Sequence, residues 1–524
     1  MAQVISAEQA AALIPDNAIV CISSSSGLHC PDKILQALGE RFAQTGQPKD
    51  LVTFHPIASG DMYGIAGMDH LAQPGLLKRV IAGSYPSGPS SMPSPKIWQM
   101  IRNNQVEAYN LPSGILFHML REGAARRPGI LTQVGLDTFV DPRRMGGRMN
   151  DCTTHDIVRV VEFDGQEWLY FKAIPMDVSI IRGTTADQAG NISMEHEGAY
   201  LGAYDVALAA RNNRGLVIAQ VKRLTAAGSL APQAVRVPGV LVDYVVVAPD
   251  QWQTTQTPYD PAISGETRRP LDGIAPVEFN TDKVIARRAA LTLHTGEAVN
   301  LGFGISALVP EILLEEKLHG HVTWVIEQGA IGGLPLTGFQ FGCAVNAQAI
   351  VPSPDQFTYF HGAGFDRCLL SFMQVDRDGS VNVSRLAARP HVTAGAGGFI
   401  DITAHARSIA FSGYFTAGGL ELAIEAGQLR IIQEGQVKKF VPQVEHVTFS
   451  GRRALATHQQ VLYITERCVI KLEPEGLTVV EIAPGIDVQR DVLDQADVGL
   501  RVSPRLKPMD SRLFSPEPMN LCLD

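Results

Sequence analysis

The sequence predicts two related domains of the layered α/β/α class, each with a largely parallel sheet. Two observations support this class. Short apolar, β-branched runs alternate with amphipathic helical patterns in both halves of the chain, which is typical of parallel sheets covered by helices. The pattern of the first half also returns in the second half in the same order. A chain of 524 residues is too long for one core and suits two domains of about 250 residues each.

The first half opens with a helical pattern at 6–14 and an apolar strand at 18–22. A loop of small residues, 23–27, then leads into an amphipathic helix with apolar positions at Ile34, Leu35, Leu38 and Phe42. A strand, a small-residue loop and a helix amino terminus form an arrangement that can bind an anion. Many α/β units begin this way, so the pattern is weak when taken alone.

Four segments of the first half have counterparts in the second half. The strand and loop at 18–27 resemble 297–306, and the other pairs are 178–193 with 370–382, 216–221 with 408–411, and 236–247 with 440–449. Chance is a poor explanation for four pairs that keep one order. Since there are only two copies, we interpret the pattern as a duplication and not as a solenoid.

Composition shifts place the domain boundaries. Residues 251–280 are rich in Gln, Thr, Pro and Gly and form a predicted linker between an N-terminal domain, 1–250, and a C-terminal domain, 281–502. The last segment, 503–524, contains prolines at 504, 508, 516 and 518. We expect this tail to be extended and either wrapped on the surface or mobile.

Composition also excludes several classes of protein. A hydrophobic content of 45% with 19% charged residues excludes a disordered chain, and no apolar run reaches the roughly 18 residues of a membrane span. The amino-terminal segment lacks the features of a signal peptide, so we expect a cytoplasmic protein. A net charge of −9 argues against a nucleic-acid partner. The seven cysteines include no Cys-x-x-Cys pair, so neither a disulfide framework nor a zinc ribbon is indicated.

The stretch with the strongest chemical signal surrounds Glu327. An apolar run, 322–326, reads as a buried strand and stops at this carboxylate, and three glycines and Pro335 follow within eight residues. Open α/β sheets place their chemistry at the carboxyl ends of strands. This position suits a carboxylate nucleophile. The same residues equally allow Glu327 to cap a helix or to pair with an arginine.

Three glycine-rich places are further candidates, because a backbone without Cβ atoms can approach a ligand closely. The first, Gly302-Phe303-Gly304, resembles the start of a dinucleotide fingerprint but lacks the acidic residue expected about 20 positions later. The second, Gly395 to Gly398, suits a nest for an anion or oxyanion, although a plain structural turn is the alternative. The third contains Gly362 and Gly364. No metal-binding spacing and no Gly-x-Ser-x-Gly elbow of a serine hydrolase is present.

Several of these motifs resemble the family I coenzyme A transferases, and above all their long single-chain acyl-CoA:acetate (propionate) members. The sharpest motif is Glu-Gln-Gly-Ala-Ile-Gly-Gly-Leu-Pro at 327–335, preceded by Asn-Leu-Gly-Phe-Gly-Ile at 300–305. Other similar stretches are Glu-Ala-Tyr-Asn-Leu-Pro at 107–112, Val-Gly-Leu-Asp-Thr-Phe-Val-Asp-Pro-Arg at 134–143, Arg-Gly-Thr-Thr-Ala-Asp at 182–187, Ile-Thr-Glu-Arg at 464–467 and Glu-Ile-Ala-Pro-Gly-Ile-Asp at 481–487. The resemblance covers nearly the whole chain. It implies two duplicated halves of the NagB/RpiA-like fold.

The resemblance also implies roles for particular residues. Glu327 is then the nucleophile that becomes a glutamyl-CoA thioester, and the remaining candidates bind CoA or stabilise an oxyanion: Gly395, Gly397, Gly398, Ser113, Gly302, Gly304, Gly362 and Gly364. Ser113 stands where the group usually has a glutamine that donates to the oxyanion, and the serines at 23–26 replace a glycine-rich signature. Burial is expected to raise the pKa of Glu327, while amides of the turn at 329–333, or another positive group, stabilise its charge.

The activity implied is transfer of CoA from a short-chain acyl-CoA to an acid of the acetate, propionate or 3-oxo acid class. No metal and no external cofactor is expected, because the substrates carry CoA, and relatives suggest a homodimer or homotetramer. Three alternatives stay open. They are a transferase that acts on an acyl-carrier protein, a thioesterase if water enters the site, and a non-enzymatic sensor of acyl-CoA or sugar phosphate.

Overall fold

The computed structural model describes residues 2–524. Its first two helices fall on the predicted helical segments at 6–14 and around Ile34 to Phe42, and the helices lie between or beside strands as the alternating pattern requires. They are α1 Ala7–Ala12, α2 Asp32–Thr45, α3 Lys96–Arg102, α4 Ser113–Ala124, α5 Ala203–Asn212, α6 Pro261–Ser264, α7 Thr281–Ala290, α8 Val309–Glu315, α9 Ser353–His361, α10 Phe399–Thr403 and α11 Gly451–Ala456.

The strands of the first half form one large sheet and a small separate one. In chain order they are β1 Gln3–Ile5, β2 Ile19–Ile22, β3 Leu51–His55, β4 Leu77–Ala82, β5 Glu107–Asn110, β6 Gly129–Thr132, β7 Val158–Phe163, β8 Gln166–Lys172, β9 Val178–Asp187, β10 Ile192–Ser193, β11 Leu216–Thr225, β12 Val235–Val237 and β13 Tyr244–Val247. The large sheet has the order β1-β13-β11-β9-β2-β3-β4-β5, and its neighbours along this path are parallel. The small sheet, β6-β8-β7, is antiparallel.

The second half repeats this plan with several short hairpins added. Its strands are β14 Ala298–Leu301, β15 Thr323–Trp324, β16 Ala330–Ile331, β17 Leu334–Pro335, β18 Ala344–Val345, β19 Ala349–Ile350, β20 Arg367–Ser371, β21 Gln374–Asp376, β22 Val381–Asn382, β23 Ser408–Ser412, β24 Thr416–Ala417, β25 Glu421–Glu425, β26 Gln428–Gln433, β27 Val437–Lys438, β28 Phe440–Val441, β29 Gln460–Ile464, β30 Cys468–Glu473, β31 Gly476–Ile482 and β32 Arg501–Pro508. The large sheet runs β15-β14-β20-β23-β29-β30-β31-β32. Only the β29-β30 and β30-β31 pairs along this path are antiparallel.

The two large sheets share one strand order over four positions, which confirms the predicted duplication. The order β13-β11-β9-β2 in the first sheet corresponds to β29-β23-β20-β14 in the second. The segment pairs predicted at β2, β9 and β11 fall on the corresponding strands. The fourth pair is wrong at its end, because 446–449 is not a strand and the counterpart of β13 is β29. Residues 446–449 instead contact the first half, since the Phe139 amide donates to the Val447 carbonyl at 2.8 Å.

Three apolar clusters hold these layers together. One lies on the α1-α2-α3 face of the first sheet, and another on the α7-α8 face of the second sheet. The third and largest contains residues of both sheets and of the helices α4, α5, α9 and α10. The two halves therefore pack through one continuous core, and the layered α/β/α class predicted from the sequence is confirmed.

The tail predicted from residue 503 is extended, but it is built into the C-terminal domain. Its first part is β32, which pairs in parallel with β31. Beyond β32 the chain buries apolar side chains in the cluster on the α7-α8 face: Met509, Leu513, Phe514, Met519 and Leu521. Arg287 of α7 donates to the Ser515 and Glu517 carbonyls at 2.6 and 2.9 Å. Within residues 2–524, no helix combines the length and apolar character that a membrane crossing needs.

Candidate active site

Glu327 lies just beyond β15, at the edge of the second sheet. The strand is shorter than the predicted run 322–326, because the chain turns at Ile326. There the Ile326 amide donates to the Ala330 carbonyl and the Gly329 amide donates to the Ile326 carbonyl, both at 2.9 Å. Asn300 of β14 fixes the approach to this turn, since its Nδ2 donates to the Val325 carbonyl at 2.9 Å. Glu327 is thereby held at the carboxyl end of a strand, as the sequence predicts.

The charge of Glu327 is subject to opposing influences. Burial and the nearby carboxylate of Asp401 raise the pKa of Glu327 to about 7, while the Gln328 side chain and the Gly398 backbone amide lower it. Gln328 Nε2 donates to Glu327 Oε1 at 3.0 Å. The expected rise in pKa is therefore present, and the Glu327 carboxylate is about half ionised near neutral pH.

The turn after Glu327 does not hold this charge, contrary to expectation. The amides of Gly329 and Gly332 donate to the backbone carbonyls of Ile326 and Trp324, at 2.9 and 2.8 Å. They are consumed in shaping the turn and do not face the carboxylate. Gln328 and Gly398 supply the donors instead.

The loop Gly395 to Gly398 connects Glu327 to the first sheet. The Ala396 amide donates to Asn110 Oδ1 and the Gly397 amide donates to the Gly83 carbonyl, both at 2.8 Å. Gly395 has φ +92°, and a Cβ there would lie 2.7 Å from Asn110 Nδ2. At Gly398 a Cβ would overlap Glu327 Oε2. The loop therefore requires its small residues. It lies at the contact between the two halves, beside the candidate nucleophile.

Ser113 is the first residue of α4 and is fully buried. Its amide donates to the Gly397 carbonyl at 2.9 Å, so its backbone supports the glycine loop. Its hydroxyl has no hydrogen-bond partner in the part of the chain that the structure describes. The structure places this hydroxyl beside Gly83, where a Cβ would overlap it. A role of Ser113 in binding CoA or an oxyanion stays a prediction.

Gly302 and Gly304 follow β14, the neighbour of β15, and so lie at the same sheet edge as Glu327. Gly302 packs against Leu370, and Gly304, with φ +104°, packs against Ser371. The Ser371 hydroxyl donates to the Phe303 carbonyl at 2.7 Å and fixes the loop. Contact of these glycines with CoA stays a prediction.

Gly362 and Gly364 lie in the turn that ends α9. Their nearest neighbours are Thr358 and Tyr359 of the same helix, so the structure does not bring them together with Glu327. The residue before this turn does approach the site, because His361 Nε2 contacts Asp401 Oδ1 at 2.8 Å. Asp401 also accepts from the Gly114 amide at 3.0 Å.

The sequence reasoning missed four polar residues at the site: Asn110, Gln328, His361 and Asp401. Each lies within or close to a predicted motif. Gln328 directly follows Glu327, Asp401 lies three residues after Gly398 and Asn110 precedes Leu111-Pro112. Contacts between the two halves bring Asn110, Gln328 and Asp401 into the site, and His361 enters through its contact with Asp401. A single sequence carries no signal of such contacts.

The serine loop after β2 also contacts this site. Ser25 Oγ lies 3.3 Å from Gln328 Nε2. Its neighbour Ser24 lies 2.6 Å from Ser59 Oγ, which in turn lies 2.7 Å from His55 Nδ1. The first half therefore reaches the candidate nucleophile through Ser25 and Gln328.

Among residues 2–524, no group of three or more His, Cys, Asp or Glu side chains is arranged to hold a metal ion.

This arrangement suits acyl transfer. A carboxylate that is ionised near neutral pH can attack a carbonyl carbon. Two N–H donors beside it can stabilise negative charge that develops on oxygen during such a reaction. The donors come from two different segments of the second half, and the first half supports both of them.

The chain is similar to one protein-family model, to two bacterial enzymes and to a solved crystal structure. Residues 4–248 match the family model described as coenzyme A transferase. The chain is 40% identical over 522 residues to the acetate CoA-transferase YdiF of Escherichia coli K12, covering 99% of this chain and 96% of that protein. It is 41% identical to the caffeate CoA-transferase of Acetobacterium woodii, covering 98% of each. A crystal structure of the E. coli O157:H7 acyl-CoA transferase YdiF, a thioester complex with CoA, matches with a TM-score of 0.90 and 39% identity, covering 100% of this chain and 98% of that one.

Proposed function

Since this chain belongs to the coenzyme A transferase family and is a CoA-transferase, we propose that it works through a glutamyl-CoA thioester on Glu327. The donor is a short-chain acyl-CoA, and the acceptor is a free acid of the acetate, propionate or 3-oxo acid class. The position of Glu327 carries the proposal. This residue is a carboxylate at a strand end, with the Gln328 amide at 3.0 Å and the Gly398 amide beside it.

The reaction proceeds in two half-reactions. One oxygen of Glu327 attacks the thioester carbonyl of the donor, and the C–S bond breaks to give an acyl-glutamyl anhydride and CoA thiolate. The thiolate attacks the glutamyl carbonyl, the anhydride C–O bond breaks, and the first acid leaves with that oxygen. An incoming carboxylate then attacks the glutamyl-CoA thioester, and the same steps run in reverse to give the new acyl-CoA.

An anhydride lies above a thioester in free energy, so the enzyme must draw on binding energy from the remote parts of CoA. The substrates bring CoA with them, and the scheme uses no resident metal or cofactor. Water has to be kept from the thioester. If water enters, the same residues give a thioesterase.

The proposal is tested by mass spectrometry of the intact protein and its peptides after mixing with acetyl-CoA in the absence of an acceptor acid. We expect an adduct of CoA mass on the peptide that contains Glu327, removable by borohydride and absent in Glu327→Ala. Absence of any adduct with acetyl-, propionyl-, butyryl- and acetoacetyl-CoA would contradict the covalent mechanism. In that case an acyl-carrier transferase or an acyl-CoA sensor becomes the better hypothesis.

The acid specificity is a second question for the same protein. Two relatives of similar identity are named for different acids, acetate and caffeate, so the acceptor panel should contain both as well as propionate and a 3-oxo acid. We expect the short-chain acids to give the highest kcat/KM. A homodimer or homotetramer in the cytoplasm also stays a prediction, and light scattering after gel filtration measures the oligomeric state.

A further inference from the structure

Gln328 is held in a way that its own hydrogen-bonding needs do not explain. Its side chain is 2% exposed. Nε2 has two acceptors, Glu327 Oε1 at 3.0 Å and Ser25 Oγ at 3.3 Å. Its Oε1 is buried without a hydrogen-bond partner within residues 2–524. Buried amide oxygens are normally satisfied, and an exception requires a reason.

Neighbouring residues lock this orientation. The backbone carbonyl of Gln328 accepts from Ser353 Oγ at 3.2 Å. Gly342 packs directly on the side chain, since a Cβ at this position would lie 2.7 Å from Gln328 Cδ. The carboxamide thus has little freedom to turn its oxygen toward a donor, and Nε2 stays directed at Glu327 Oε1 and Ser25 Oγ.

The position of the N–H groups matters when the glutamyl carbon reacts. Gln328 binds Oε1, whereas Oε2 faces Gly398. If Oε2 attacks the donor, Oε1 becomes the carbonyl oxygen of the glutamyl group. When CoA thiolate then attacks this carbonyl, an electron pair moves onto Oε1 and gives a tetrahedral oxyanion. The intermediate collapses by expelling the first acid with Oε2.

We propose that Gln328 is a catalytic residue whose side-chain amide stabilises the oxyanion that forms on Glu327 Oε1. Ser25 is a positioning residue that holds this amide from the first half of the chain. The inference rests on the proposed glutamyl-CoA mechanism and deepens it. A donor of this kind costs no reorganisation during the reaction because it already contacts the oxygen in the resting enzyme.

The test compares the rate of CoA-adduct formation in a single turnover for the wild-type protein and Gln328→Met. Met has a similar length and no donor. We expect adduct formation to slow by roughly 100- to 1,000-fold, the loss typical of one oxyanion donor, while the Kd of acetyl-CoA changes less than about threefold.

A matched control is Gln220→Met. Gln220 is also buried and accepts from the Ile34 amide at 3.3 Å, but its position on β11 is remote from β15 in chain and sheet. Its adduct should form at the wild-type rate.

A double-mutant cycle separates catalysis from support of the fold. If Ser25 acts only through Gln328, Ser25→Ala slows the wild type but causes no further loss in Gln328→Met, because contacting residues that act as a unit are not additive. Full additivity of the two substitutions would contradict the role given to Ser25. If Gln328→Met is insoluble, Gln328→Asn replaces it, since the shorter amide no longer reaches Oε1 and the same loss is expected.

The outcomes distinguish this inference from the mechanism on which it rests. A wild-type protein that forms no adduct contradicts the glutamyl-CoA mechanism and the inference with it. A wild-type protein that forms the adduct, with a Gln328→Met or Gln328→Asn variant that forms it equally fast, leaves the mechanism intact and overturns the role of Gln328.

Discussion

At the scale of single residues, the ionisation of Glu327 is the property on which the chemistry depends. Burial and Asp401 oppose the charge, whereas Gln328 and Gly398 favour it, and the resulting pKa is about 7. A nucleophile needs its charge, and a fully buried carboxylate would lose it. The two donors therefore favour the ionised form that the proposed reaction requires.

The first prediction concerns the pH dependence of adduct formation. The rate should rise as the pH passes through about 7, because only ionised Glu327 attacks the thioester. Asp401→Asn removes a neighbouring negative charge, so the midpoint of this rise should move to lower pH. Stopped-flow measurements of the rate of adduct formation, from about pH 5.5 to 8.5 in steps of roughly half a pH unit, locate the midpoint. Asp366→Asn, just before β20, is the control and should keep the wild-type midpoint.

The second prediction concerns stability. Glu327 has a pKa of about 7 in the folded protein and an ordinary value of 4.5. The folded state therefore binds more protons, and the associated stability is complete below pH 4.5 and lost as the pH rises through 7. Glu327→Gln does not titrate, so relative to wild type it should gain stability with pH, by at most about 3 kcal/mol. Denaturant unfolding at pH 5 and pH 8 measures the difference. An equal difference at both pH values would contradict the raised pKa.

Glu327 could be identified as a candidate because a strand pattern stops at an acidic residue before glycines. The pattern alone equally allows a helix cap or an arginine pair, and the resemblance to the coenzyme A transferases favours the chemical role. Gln328 could not be identified, because a glutamine next to a glutamate usually has no special role. Its contact with Ser25 spans 303 positions of sequence. The chemistry of the nucleophile is thus visible locally, whereas its supporting donors depend on the tertiary fold.

At the scale of elements, the glycine loop at 395–398 belongs to the second half and contacts both halves of the chain. Its amides bind the ends of the first sheet, and its last residue lies against Glu327. The sequence predicts an anion-binding loop from the glycines alone. It does not reveal that the same glycines make room for the side chains of Asn110 and Glu327.

The third prediction compares two glycines of this loop. Gly398 has φ −87°, which alanine tolerates, but the added Cβ would overlap Glu327 Oε2 and approach the Phe357 ring. Gly398→Ala should therefore displace Glu327 and slow adduct formation on the order of 100-fold, and the overpacking should cost about 1–3 kcal/mol of stability.

Gly397→Ala is the matched control for this substitution. Gly397 has φ +52° with open space around its Cβ position. Alanine there should cost about 1–2 kcal/mol of stability and leave Glu327 in place. Thermal unfolding and the adduct assay measure both effects. The reverse ranking of the two variants in the adduct assay would contradict the geometry of the loop.

At the scale of the whole molecule, the two halves form one body. The largest apolar cluster contains residues of both sheets, and the candidate active site lies where their strand ends meet. The duplication and the layered class were predictable, because periodicity and repeated order are properties of the sequence itself. The shared core was not, since apolar residues on a helix do not indicate which sheet covers them.

The fourth prediction concerns the tail, where composition was misleading. Four prolines suggest a segment apart from the domain, yet Phe514 is 1% exposed in the cluster on the α7-α8 face. Phe514→Ala should destabilise the C-terminal domain by about 3–5 kcal/mol, as for other buried phenylalanines. Val502→Ala, at a position 40% exposed on β32, should change stability by less than about 0.5 kcal/mol. Differential scanning calorimetry measures both variants. Equal melting temperatures would show that the tail adds nothing to the fold.

The two halves belong to one chain, joined through the predicted linker at 251–280, and this has a consequence for how they are made in the cell. Because Ser25 and the Gly83 carbonyl come from one half and Glu327 from the other, neither half contains a complete site. A single reading frame delivers the two halves in a one-to-one ratio, and the tether keeps each at a high local concentration for its mate. Dilution therefore does not separate Glu327 from the first-half residues that support its site, and neither half is made without the other.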